Sequence, residues 1–190
     1  MSRAYRISVK ESVSREIKGS DEICTRLELL DILPPEAMGG LLRRELEARG
    51  FTENADGTMN REDGDSTVTV DPCSGEVTVK SELGKKVTQK GTREGAAWND
   101  VGPGREEVEK KTRDQLKKDL DQKIDLEQEK LQKQATEKLE RELNDLQPEL
   151  SEIVNKVTRE ALKQKAGQMG TIQEIAEDPA TGSMTIKVEV

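Results

Sequence analysis

Tyr5, Ile7 and Val9 alternate with polar residues, and Ile23, Thr25, Leu27 and Leu29 do so again after Lys18-Gly19-Ser20-Asp21. This period of two marks strands with one buried face, and the glycine-containing break between them reads as a turn, so residues 4–30 are predicted to form a hairpin. The period then changes. Leu33-Pro34-Pro35-Glu36 puts proline and an acid in a first helical turn, and Met38, Leu41, Leu42 and Leu46 follow at helical spacing before Gly50. A short helix is predicted there, weakened by Gly39-Gly40. From Phe51 to Lys80, the turn dipeptides Asp56-Gly57 and Asp63-Gly64 and the β-branched runs Thr67–Val70 and Val77–Lys80 predict a second strand unit.

Residues 81–104 hold Gly84, Gly91, Gly95, Gly102, Gly104 and the lone Trp98 without a clear period, and read as a linker. Arg105–Leu146 has neither glycine nor proline. It opens on Glu106 and Glu107 and repeats acid-to-base pairs four apart, among them Glu106 with Lys110, Glu109 with Arg113 and Glu137 with Arg141. That is a helix about 60 Å long at 1.5 Å per residue, supported by its own ion pairs. Its apolar stripe is thin and runs through Val108, Leu116, Leu120, Ile124, Leu131, Ala135, Leu139, Leu143 and Leu146, mostly in steps of four. The spacing exceeds the 3.5 of a heptad, so a left-handed two-stranded zipper is not the expected use of it. Pro148 interrupts, and Leu150, Ile153 and Val157 then widen the apolar face. Past Pro148 the helix either folds back or continues after a kink.

Near the C-terminus a pattern recurs: Asp71-Pro72-Cys73-Ser74-Gly75-Glu76-Val77-Thr78-Val79-Lys80 aligns without gaps on Asp178-Pro179-Ala180-Thr181-Gly182-Ser183-Met184-Thr185-Ile186-Lys187. Both read as a turn entry followed by an alternating strand. Internal repetition and independent selection of a good hairpin loop both account for the match. The predicted fold is therefore α+β: a β-rich head with one short helix over 1–80, a linker over 81–104, a charged helical arm over 105–166 broken near Pro148, and a hairpin over 167–190. That last hairpin is expected to pack on the head and share its sheet, which would cover otherwise exposed edges.

Composition narrows the function. Charged residues reach 37% and aromatics only 2%, so any core is small and aliphatic. The net charge of -8 is split evenly between 1–104 and 105–190, and lysines and arginines are interleaved with acids throughout. A nucleic-acid surface is not expected. The chain opens without an apolar leader and never runs eighteen apolar residues, which predicts a soluble, cytoplasmic protein with no membrane partner. Cys24 and Cys73 match neither a zinc pattern nor a disulfide framework and are read as reduced thiols.

Histidine is absent, which removes the commonest general base and metal ligand. The turn at Asn54-Ala55-Asp56-Gly57 lacks the ligand order of a calcium loop, and Gly84-Lys85 lacks that of a phosphate loop. No catalytic residue, cofactor or metal is predicted. The apolar stripe on a soluble arm instead points to a protein partner or a second copy, with Leu116, Leu120, Ile124, Leu131, Leu139, Leu143, Leu150, Ile153 and Val157 as its contact residues. A self-assembling scaffold or chaperone-like protein is the alternative.

Tyr5-Arg6-Ile7-Ser8-Val9, Leu33-Pro34-Pro35-Glu36-Ala37-Met38, Leu41-Leu42, Gly50-Phe51 and the hairpin from Thr171-Ile172 to Val190 resemble the accessory domains of bacterial FtsH ternary systems. The resemblance implies a non-catalytic adaptor beside FtsH-like and MoxR-like AAA+ ATPases and a von Willebrand factor A protein, in an NTP-dependent defence or conflict pathway. It carries over no catalytic motif.

Overall fold

A computed structural model describes residues 4–98, 104–178 and 183–189. The elements in chain order are β1 (Ala4–Arg26), α1 (Pro35–Ala48), β2 (Thr52–Glu53), β3 (Met59–Asp63), β4 (Ser66–Val70), β5 (Glu76–Trp98), α2 (Arg105–Met169), β6 (Thr171–Glu177) and β7 (Met184–Glu189). The fold is α+β, as the patterning predicts. Five strands form an antiparallel sheet in the order β1-β5-β4-β3-β2, and β6 and β7 form a separate sheet of two.

The first strand departs from expectation. No hairpin interrupts residues 4–26, because Lys18-Gly19-Ser20-Asp21 stays extended inside one strand of 23 residues. Its partner β5 has the same length and runs to Trp98 through the segment that reads as a linker; residues 99–103 of that segment lie outside the described residues. The glycines explain both departures, since in a strand a glycine also marks close approach by another element. A Cβ on Gly19 would lie 2.7 Å from the Leu131 carbonyl oxygen, one on Gly91 would lie 2.9 Å from Leu116 Cδ1, and one on Gly95 would lie 2.7 Å from Thr112 Oγ1. They are the places where strands admit α2.

The chain divides into two compact units, one of residues 1–20 and 82–136, the other of residues 21–81 and 137–190. These boundaries cut across the head, linker and arm expected from sequence. In the first unit, β1 and β5 form a two-stranded ribbon, with Ser14 Oγ 3.0 Å from Thr88 Oγ1 and Arg6 paired to Glu94 at 2.6 Å. Two small clusters join it to α2: Ile7, Val9, Ala97, Leu116 and Leu120, then Ile17, Val87, Ile124 and Leu131. Charges on the helix also reach the ribbon, with Arg113 pairing with Glu11 at 3.0 Å and Asp121 with Arg15 at 3.0 Å.

The larger core lies in the second unit. Val68, Val70, Val77 and Val79 on one face of the sheet meet Leu42 and Leu46 of α1 and Leu139, Ile153 and Val157 of α2. Here α2 passes Pro148 without a break, although proline at that position predicts one. Proline removes one backbone hydrogen bond, but Pro148 and Asn144, whose carbonyl loses its donor, are both exposed, so water can satisfy that oxygen. Leu146 and Leu150 on either side are buried in the core, and their burial offsets a helix penalty of about 3 kcal/mol.

The two Asp-Pro hairpins do not share a sheet. The five-stranded sheet ends on one side in β2, only two residues long, and so short an edge offers almost no backbone for a further strand. The internal likeness is nonetheless carried into structure. Val68 pairs with Val79 and Val70 with Val77, while Ile175 pairs with Ile186 and Glu177 with Met184, the same register at the aligned positions. Asp71 N–H donates to the Glu76 carbonyl at 2.8 Å, and Asp178 N–H donates to the Ser183 carbonyl at 2.9 Å. Residues 179–182, at the second turn, lie outside the described residues.

Close packing at Gly19 gives a direct test. Replacing Gly19 by alanine should lower the free energy of unfolding by about 1–3 kcal/mol, since backbone rather than a flexible side-chain tip must move. Gly84, where an added methyl would have nothing within 4 Å, should accept alanine with no loss. Urea titrations of the two variants check the contrast.

Candidate protein-interaction surface

The residues expected to contact a partner occupy the interior of the chain. Leu116 and Leu120 belong to the first ribbon cluster, Ile124 and Leu131 to the second, and Leu139, Leu150, Ile153 and Val157 to the main core. Leu143 is half-buried against that core. Ribbon and sheet thus fill the seam that in sequence reads as open to another protein. The cause lies in the hidden length of β1 and β5: strands of 23 residues need a covering layer, and the seam is the apolar surface long enough to supply it.

Ionisable groups in the second unit serve the same attachment. Arg61 on β3 holds Glu149, just past Pro148, through two parallel bonds of 2.8 and 2.9 Å. Its guanidinium lies 4.6 Å from the centre of the Phe51 ring. Arg49 joins Glu45 at 2.8 Å, Glu149 at 3.7 Å and Glu152 at 3.1 Å. The hydrogen bonds from Arg61 hold the Glu149 carboxyl below the ordinary carboxylate value, against the opposing effect of burial. Burial pushes Glu45 up, but bonds from Arg49 and Lys156 outweigh it and leave that carboxyl lowered. Arg61 is raised first by its bonds to Glu149, and Arg49 first by its bond to Glu45. Each group is shifted toward its charged form, as in a clamp rather than an acid–base pair.

Turn carboxylates are likewise occupied by their own loops. Asp56 Oδ1 accepts from the Thr58 N–H at 2.9 Å and from the Thr58 hydroxyl at 2.7 Å, and Asp71 accepts from Ser74 Oγ at 2.7 Å and the Cys73 N–H at 2.8 Å. Among the described residues no group of three or more acids, cysteines or histidines converges on a metal-sized site. Cys24 and Cys73 are free and exposed.

Exposed apolar side chains elsewhere among the described residues include Leu30, Trp98, Leu126 and Met169; on the C-terminal hairpin several line one strand face. Ile172 opposite Val188 and Ile175 opposite Ile186 lie on one face with Met184, after a register shift between Ile172 and Glu174. The other face is polar, with Lys187 paired to Glu174 and Gln173 bonded to Glu189. Glu177 is fastened to α2 by Lys163 at 3.4 Å and Arg159 at 3.9 Å, so the hairpin is held at its turn end. None of its described apolar residues is fully buried, and Ile175 keeps 41% of its surface exposed. Their counterparts in the aligned hairpin behave oppositely: Val68, Val77 and Val79 are buried beneath helices. The alternation of this hairpin is visible in sequence, where its apolar face is expected to pack on the head. No residue type distinguishes a covered strand face from an open one.

Glu149→Gln should reveal the clamp. A carboxyl lowered in the folded chain contributes stability that is complete above the unfolded value and is lost as pH falls through the folded one. The substitution should cost about 1–2 kcal/mol at neutral pH and flatten the loss of stability between about pH 5 and pH 3. Unfolding curves across that range check both effects.

No helix among the described residues is long and apolar enough to cross a membrane. No curated protein and no solved structure matches the chain. A family model described as FtsH ternary system domain X5 matches residues 1–190, so the chain belongs to the FtsH ternary system domain X5 family and is an accessory domain of such systems.

Proposed function

We propose that this domain is a non-catalytic accessory subunit that docks an AAA+ ATPase or von Willebrand factor A protein of its ternary system on the apolar face of the β6–β7 hairpin. Membership of a ternary-system family implies protein partners. The observation that carries the choice of surface is the contrast between the two aligned hairpins. The β4–β5 face is covered by α1 and α2, whereas Ile172, Ile175, Met184, Ile186 and Val188 retain exposed surface. A two-stranded hairpin with one apolar face gains most from a covering helix, and the partner is read as supplying one. The adaptor role is thereby carried by the hairpin instead of the seam of α2.

The non-catalytic part of the reading is supported by the absence of histidine from the sequence and by carboxylates shifted toward ionisation by their partners. A groove of about 420 Å³ between α1, the end of α2 and β6 is lined by Glu45, Lys156, Arg159, Glu160, Lys163 and Glu177. Its charges are largely neutralised by one another, with Lys156 on Glu45 at 3.2 Å and Lys163 on Glu160 at 3.1 Å.

Titration calorimetry of the purified domain against an AAA+ ATPase and a von Willebrand factor A protein of an FtsH ternary system tests this reading. Ile175→Asp with Ile186→Asp should weaken binding about tenfold or more while the helical circular dichroism stays unchanged. Equal affinity of the variant, or no binding of either protein by the wild type, sinks the proposal.

A further inference from the structure

Strand β1 ends the five-stranded sheet, and its outer edge carries a pattern that fits itself. Ser20 shows which backbone groups face outward: its N–H donates to Gln132 Oε1 at 3.2 Å, and its carbonyl accepts from Gln132 Nε2 at 2.7 Å. A side-chain amide there takes the place of a neighbouring strand. Alternate residues along a strand point their backbone groups the same way, so Ser8, Lys10, Ser12, Ser14, Glu16 and Lys18 present theirs on that edge too. Among the described residues no strand lies beyond it. A long uncovered edge pairs with other chains unless something opposes it.

The charges decide what it pairs with. Val9-Lys10-Glu11-Ser12-Val13-Ser14-Arg15-Glu16-Ile17, laid antiparallel on itself about Val13, sets Lys10 opposite Glu16, Glu11 opposite Arg15, Ser12 opposite Ser14 and Val9 opposite Ile17. Opposite charges facing each other across strands are favourable and like charges are not. Moving the centre to residue 12 sets Arg6 against Lys18, and moving it to residue 14 sets Lys10 against Lys18. The free outer edge of β5 beyond Ser81 differs in the order of its charges, because Lys85, Lys86, Lys90 and Arg93 follow one another with no acid between Glu82 and Glu94, a run of like charge of the kind that keeps an edge unpaired.

We infer that this chain forms a two-fold symmetric dimer through antiparallel pairing of residues 8–18 of β1 with the same residues of a second copy. The two-fold axis stands perpendicular to the sheet at Val13, so both copies of α2 lie on one face of a four-stranded platform. Four strands about 4.8 Å apart accommodate two helices about 10 Å apart. Gln132 ends the pairing at Ser20. The β6–β7 hairpin takes no part, so the inference does not depend on the docking surface above.

Lys10 and Glu16 are exposed and lie on the solvent side of the ribbon, which allows a charge-swap test on the full chain. Sedimentation equilibrium of the wild type should show a dimer at micromolar concentration. Lys10→Glu alone and Glu16→Lys alone each set like charges opposite each other at two symmetric places and should weaken the dimer about tenfold. The double variant K10E/E16K restores opposite charges and should recover the wild-type constant. A wild type that stays monomeric across the micromolar range overturns the inference, as does a dimer indifferent to the single changes or a double variant no tighter than either single one.

Discussion

A two-stranded ribbon with one apolar face does not hold together in water by itself, and the contact between that face and the seam of α2 is what the rest of this molecule depends on. Ile7, Val9 and Ile17 of β1 and Val87 and Ala97 of β5 have no aromatic layer to meet. The available surface is one row of aliphatic residues on a helix whose other faces are charged. The row is narrow, so the fit must be close, and glycines at 19, 91 and 95 remove the side chains that would hold the helix away. In the second unit the same helix meets a broader sheet and a second helix, and the Arg61–Glu149 clamp adds a polar attachment beside Pro148.

That contact also explains the composition. With aromatics at 2%, cohesion comes from Leu, Ile and Val spread along elements rather than gathered at one centre. The charges that appear as helix-internal pairs in sequence are partly redirected. Arg113 bonds both Glu109 and Glu11, Asp119 meets Arg93 and Asp121 meets Arg15. Pairs of this exposed kind each contribute at most about 1 kcal/mol, so they set the alignment of strand and helix more than they stabilise it.

Much of the architecture is legible in the sequence. The α+β class, the helix beginning at Pro35, the β-branched strands, the long charged helix and the C-terminal hairpin all follow from period and propensity. The departures share one source. Glycine in a strand and glycine in a turn look alike in sequence, so Gly19 reads as a turn, and Gly91 and Gly95 as part of a linker. Pro148 reads as a break because its own cost is local and visible, whereas the burial of Leu146 and Leu150 that offsets it comes from distant residues. The apolar seam is legible residue by residue, but a stripe on a helix records only that something covers it. With the strands underestimated, an outside partner is the available answer. The hairpin shows the opposite case, since its counterpart is covered and it is not.

Urea unfolding of Leu120→Ala, followed by far-ultraviolet circular dichroism, tests the internal use of the seam most directly. Leu120 is 1% exposed beneath the ribbon. If its side chain is core, the substitution lowers stability by about 2–5 kcal/mol. An unfolding midpoint equal to that of the wild type would show the seam uncovered in the free protein and would contradict the account.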